Sequence, residues 1–188
     1  MASPSEQLQF QSSALQQLMD GVKSDQWDNP TPCAKWTVRE LAAHLVGGGT
    51  MFAASFRGEA AQDGGDGETP DVLGDDPAAA WRRVIADFQS SADAPGAMER
   101  DVTLPFATLP AQVALDIAKF DLLVHAWDLA RSTDQPFDPP ADVVANGRAT
   151  AETIVGGLRD GDTFGDAIDA PADASPIDQL AAFCGRSV

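Results

Sequence analysis

Residues 119–131 read KFDLLVHAWDLAR, and their helical spacing decides how the rest of the chain is read. Residues four apart on a helix lie one turn apart on the same side, so Asp121 and His125 point together and Asp128 continues that stripe. A carboxylate and an imidazole are thereby presented side by side. The company is otherwise apolar, and an unpaired buried carboxylate is costly, so Asp121 needs a cationic partner, a metal or exposure to water. Asp128 is expected to orient a ligand or bond to nearby backbone rather than to bind a metal directly. The chain has one other histidine, His44, within TVRELAAHLVGG, residues 37–48. If the two helices pack against each other, His44, Asp121 and His125 meet as three ligands.

Working outward, several sequences carry helix start signals. Ser3-Pro4-Ser5-Glu6 has the spacing of a capping box with proline at the first helical position, and Leu8, Leu15, Leu18 and Met19 give that helix an apolar side up to about Asp20-Gly21-Val22. Thr37-Val38-Arg39-Glu40 is a second capping box, opening the helix that carries His44 among Leu41, Ala42, Leu45 and Val46. The Gly47-Gly48-Gly49 run in that helix predicts close approach of another backbone. Asp76-Pro77 caps a third helix with Trp81, Val84, Ile85 and Phe88 on one side, ending before Pro95-Gly96.

Between these lie the breaks. The segment QWDNPTPCAKW, residues 26–36, cannot form regular helix because of its prolines, and Trp27, Cys33 and Trp36 read as packing residues of a fixed connector. Residues 58–76 are acidic and glycine-rich and predict a mobile loop. Asp63, Asp66 and Glu68 do not follow the order of a calcium loop. DVTLPFATLP, residues 101–110, is extended and delivers the chain into the central helix, from about Ala111 to Arg131. Asp138 with two prolines is expected to start a further helix running through Leu158, and Ser175-Pro176-Ile177-Asp178 a short last one ending near Gly185. The spacing of Asp160 and Asp162 imitates a calcium loop, but Phe164 stands where a third oxygen is needed.

At 188 residues the sequence fits a single domain, 1–188, and the pattern is all-α. A net charge of -17 repels phosphate backbones and anionic lipid surfaces, which argues against nucleic acid and membrane partners. Two distant cysteines, Cys33 and Cys184, form neither a disulfide framework nor a thiolate metal knuckle. With no apolar run long enough to span a bilayer, the expectation is a cytoplasmic protein with reduced thiols. Two imidazoles and a carboxylate make a sound ligand set for a divalent metal, and three protein ligands leave a position open for water or substrate.

Three separated segments carry a resemblance that covers essentially the whole chain: PTPCAKWTVRELAAHLVGG at 30–48, DLLVHAWDLARSTDQP at 121–136 and FGDAIDAPADASPIDQLAAFCGR at 164–186. They resemble the actinobacterial metal-binding branch of the DinB/YfiT-like superfamily, related to the N-terminal domain of mycothiol-dependent maleylpyruvate isomerase. The resemblance implies a four-helix bundle with long loops and a short C-terminal helix. It also implies a metal, zinc first and nickel second, held by a histidine from the second helix and an acid-x-x-x-His pair from a later one. Here those positions fall on His44, Asp121 and His125, with Asp where the acid is commonly Glu.

Relatives of this kind include thiol-dependent transferases and isomerases. The resemblance therefore implies a metal-dependent enzyme with a small-molecule electrophile as substrate and a low-molecular-weight thiol, mycothiol, as cosubstrate. A metal-dependent hydrolase and a non-catalytic metal-binding or small-ligand-binding bundle are the alternatives. The isomerase carries a further C-terminal domain that helps form its site, so a related reaction is expected here rather than maleylpyruvate isomerisation itself. A homodimer through a helix face is the expected assembly.

Overall fold

A computed structural model describes residues 3–33, 36–59, 71–159 and 163–188. The expectations for Asp63, Asp66, Glu68 and most of the acidic loop, and for Asp160 and Asp162, lie outside the described residues. Six helices dominate the described chain: α1 (Pro4–Gly21), α2 (Val38–Arg57), α3 (Pro77–Ala92), α4 (Ala111–Ser132), α5 (Ala141–Ile154) and α6 (Pro176–Phe183). Both capping boxes form. Ser3 Oγ accepts from the Glu6 amide at 3.3 Å while Glu6 Oε2 accepts from the Ser3 amide at 2.7 Å, and Thr37 and Glu40 repeat the exchange. Asp76 caps α3 and Ser175 caps α6 through their side chains. Each satisfies an amide that the first helical turn leaves without a partner.

The all-α expectation needs correction. Asp101–Leu104 and Ala107–Pro110 pair antiparallel as a hairpin, β1 and β2, with Val102 opposite Leu109. Val102 and Leu104 alternate inward with exposed Asp101 and Thr103. That period of two, with Pro105 and Phe106 in the turn, is the physical reason for strand here. Proline at the end of β2 leads directly into α4, which begins with no side-chain cap. A second correction concerns α5: Pro140, not Asp138, precedes its first turn, the helix begins at Ala141, and its last stretch tightens into a 3-10 turn at Val155–Leu158.

The first four helices share one core. α1 packs on α3 and α4, and α2 packs on the same two, so the four close into a ring. Leu8, Leu15, Leu41, Leu45, Trp81, Phe88, Leu115 and Leu129 fill it. A smaller core joins the back of α4 to α5 and α6 through Leu123, Trp127, Val144 and Leu180. α4 is therefore covered on almost every side, and from Phe120 to Ala130 only Asp121 is other than buried. Any charged side chain in that segment must find a partner inside the protein.

Two glycines show how tightly the helices meet. A Cβ at Gly49 would lie 3.1 Å from Val84, so α2 and α3 approach closely there, whereas Gly47 and Gly48 face nothing within 4 Å and do not have the packing role expected of the run. At Gly147 on α5 a Cβ would stand 2.7 Å from Leu123 and 3.4 Å from Leu180, both buried. Overpacking costs about 1–3 kcal/mol, more than the roughly 1 kcal/mol that Ala gains over Gly in a helix. Gly147→Ala is thus expected to lower the urea midpoint by the equivalent of about 1 kcal/mol at unchanged m. An equal or raised midpoint would show that α5 can slide away from α4.

Candidate metal centre and its cavity

α2 and α4 bring the three expected ligands together. Asp121 Oδ1 lies 3.4 Å from His125 Nε2 and 3.7 Å from His44 Nε2, and the three ligand atoms lie within 4.8 Å of one another. Donors at 2.0–2.1 Å from a tetrahedral zinc are separated by about 3.3 Å, so the spacing suits one shared cation. His44 Nε2 is shut off from solvent and has no hydrogen-bond partner; its distance to Asp121 is too long for a hydrogen bond. An orphaned buried nitrogen aimed at a carboxylate and a second imidazole is the observation that fits a metal. The shorter Asp still reaches both histidines.

The electrostatics of α4 follow from its burial. Burial works against the charge on Asp121, but the His125 and His44 imidazoles outweigh it and hold the carboxyl well below the usual carboxylate range. Burial equally opposes a charged His125, and Asp121 with Asp128 overcomes it, so this imidazole is pushed up to about 9. Asp121 keeps about a third of its side chain exposed, toward the cavity described below. His125 is nearly covered.

Asp128 is placed on the opposite side of His125. Its Oδ2 lies 2.9 Å from His125 Nδ1, fully buried, so it faces the nitrogen that the ligand set does not use. A carboxylate there fixes the ring and leaves Nε2 as the donor atom toward Asp121. Asp128 is itself held by Arg186, whose Nε and Nη2 donate to its two oxygens at 3.3 and 3.1 Å. Burial is offset by these two cationic neighbours, and the Asp128 carboxyl stays below its ordinary range.

Sequence reasoning did not single out Arg186, and it read Cys33 as a packing residue. Cys33 instead lines the cavity and lies 3.7 Å from Arg186 Nη2. Burial pushes its thiol up, partly countered by Arg186. Its carbonyl accepts from Trp36 N at 2.8 Å and from Thr31 Oγ1 at 3.0 Å, which closes the connector into a tight loop. Gln26 and Asn29 donate to the Thr133 and Ser132 carbonyls, tying that loop to the end of α4. Trp36 is thereby laid over both histidines, with ring centroids 4.5 Å from His44 and 5.7 Å from His125. Cys33, His125 and Asp128 also fall within ligand distance of one another. That set is a poorer metal site, since the Asp128 oxygens are already committed to Arg186 and His125.

A turn delivers Arg186. Gly185 has φ +85°, and a Cβ there would meet the Gly165 backbone at 3.0 Å and the Asp166 carbonyl at 3.1 Å, so only glycine fits the bend that carries the chain from α6 to Asp128. The one signal in sequence was an arginine closely following Leu180, Ala181, Ala182 and Phe183.

The ligand triad opens onto a cavity of about 550 Å³ walled by side chains of the connector, the hairpin turn, α4, the 3-10 turn and residues 163–165 and 184–186. No helix among the described residues is long and apolar enough to cross a membrane.

Two Mycobacterium tuberculosis proteins, one from strain CDC 1551 / Oshkosh and one from strain ATCC 25618 / H37Rv, are each 34% identical to this chain over 181 residues, covering 93% of both partners. Both are described as uncharacterized proteins. No solved structure gave a significant match. A DinB-like domain family matches residues 8–130, a span that holds the Thr37–Glu40 capping box, the hairpin and all three candidate ligands. With this match and relatives aligned over nearly their whole length, the chain belongs to the mycothiol maleylpyruvate isomerase N-terminal domain family.

Proposed function

We propose that His44, Asp121 and His125 hold a divalent metal, zinc by preference, and that the protein is a thiol-dependent transferase or isomerase acting on a small electrophile, with a low-molecular-weight thiol such as mycothiol as cosubstrate. The observation that carries this reading is the convergence of an unpartnered His44 nitrogen with the Asp121–His125 pair at the wall of a ligand-sized cavity. A divalent cation held there supplies Lewis acidity that lowers the pKa of a thiol.

The chain's own residues do the rest. Asp128 holds the His125 ring with Nε2 facing the triad, and Arg186 keeps Asp128 ionised and in place. Trp36 lies over both imidazoles and covers the triad from one side. The apolar walls keep water from competing with sulfur as nucleophile. Transfer and isomerisation both begin with sulfur bonding to the electrophilic carbon. They differ in whether a leaving group departs with the electron pair or the thiol is expelled again after rotation about the former double bond.

The test is turnover of an electrophile by zinc-loaded protein with and without thiol. At least about a hundredfold dependence on thiol, lost in the metal-free protein, is the expected result. Turnover independent of thiol would make the protein a hydrolase. Metal bound with no turnover across a panel of electrophiles would make it a binding bundle.

A further inference from the structure

Resting on the metal–thiol reading above, we infer that the cavity takes an uncharged, apolar electrophile, aromatic or conjugated, and excludes dicarboxylates. Most of the lining beyond the triad is apolar, with Trp36, Phe106, Ile117, Phe120, Val124 and Phe164 among its walls. Two of the most exposed large apolar side chains of the described residues, Phe106 at 66% and Leu158 at 39%, also stand on its lining. Phe106 reaches it from the turn of the hairpin. The apolar surface thus continues from the cavity out into solvent, where a ligand of the same character would cover it.

Charge points the same way. Among the described residues that line the cavity, Arg186 is the only Lys or Arg. Its guanidinium is already committed to both Asp128 oxygens, to the Cys184 carbonyl at 3.0 Å and to Cys33. Asp121, Asp128, Arg186 and a divalent cation together leave a single positive charge, which one thiolate neutralises. A dianionic electrophile would then meet no uncommitted cationic side chain to receive its carboxylates, and burying charge without a partner is costly. The net charge of -17 repels such a substrate before it arrives. An ester or aryl group of the same skeleton meets neither obstacle.

The reaction that compares the two classes is addition of a thiol to the carbon–carbon double bond of maleate or of its dimethyl ester. Sulfur bonds to one alkene carbon, the π pair moves to the other, and that carbon takes a proton from solvent, so the thiol and alkene sum to the thioether product. Rates are expressed relative to the uncatalysed addition of the same thiol, which removes the intrinsic difference in reactivity. The ester is expected to show at least about tenfold the enhancement seen with maleate, roughly the worth of one desolvated charge contact.

Binding is read separately with the neutral fluorophore N-phenyl-1-naphthylamine, on zinc-loaded and metal-free full-length protein. It should brighten on both. Phe106→Ala, at an exposed turn position where folding is insensitive, should weaken its binding about fivefold through lost apolar contact. Dimethyl maleate should displace it and maleate should not. Equal enhancement of maleate and ester, or displacement by maleate, overturns the inference while leaving the metal–thiol reading standing. Fluorophore binding that Phe106→Ala weakens, with no thiol turnover of either electrophile, overturns that reading but keeps the apolar selectivity. No fluorophore binding to either form overturns the inference.

Discussion

Protein carrying His125→Ala is expected to hold less than about a tenth of the zinc bound by the parent chain after equilibration and desalting, since one of three protein ligands is gone. His44→Ala should lose zinc to the same extent. The two variants are expected to part in stability. His125 stands between Asp121 and Asp128, 3.4 Å from one and 2.9 Å from the other, so its removal leaves two buried or half-buried carboxylates short of a partner. A cost of about 2–3 kcal/mol follows in the metal-free protein. His44 Nε2 has no hydrogen bond to lose and faces Asp121 only at 3.7 Å, a weaker contact than those of His125, so metal-free His44→Ala should cost less than His125→Ala, about 1 kcal/mol. Elemental analysis and urea unfolding of the same preparations check both halves. Full zinc occupancy in either variant would remove these residues from the ligand set, and equal destabilisation would contradict the ion-pair account of His125.

Arg186→Met is expected to cost about 3 kcal/mol, the lower end of what removing one partner of a buried ion pair costs, because His125 still faces Asp128. Methionine keeps much of the volume, so the loss measures charge rather than a cavity. The Asp128→Asn, Arg186→Met double variant should be more stable than the two single losses predict when added, by at least about 1 kcal/mol. Urea unfolding of the four proteins closes the cycle. Simple additivity, or an Arg186→Met loss under about 0.5 kcal/mol, would mean that the guanidinium does not hold Asp128 in solution.

What could be read in the sequence was local. Ser3, Thr37, Asp76 and Ser175 each announce a helix within four residues of themselves, and each helix starts there. The one-turn relation of Asp121 to His125 is fixed by helix geometry alone; His44 joined it as the other histidine of the chain, on a second amphipathic helix, and the family resemblance implied the same three positions. The hairpin escaped because Pro105 and Pro110 suggest an irregular segment, and a four-residue strand shows only two inward side chains to betray its period. Cys33 and Arg186 escaped for a different reason. They stand 153 residues apart, and nothing near either of them records the other. Their meeting depends on the connector being tied to the end of α4 and on the bend at Gly185, both properties of the packed chain. The apolar faces of Phe120 and Val124 look like core in sequence, and only the arrangement of the walls shows that they border a cavity.

The bend at Gly185 also sets an order of events during synthesis. Asp128 and Arg186 are 58 residues apart, and at about 5–20 residues per second the ribosome takes roughly 3–12 s to go from one to the other. Throughout that interval His44 and His125 have already been made, while the carboxylate that steadies His125 lacks its guanidinium. The nascent bundle therefore carries an unfinished, carboxylate-rich pocket until the last turn docks. Until then the cavity also lacks the wall that residues 184–186 supply.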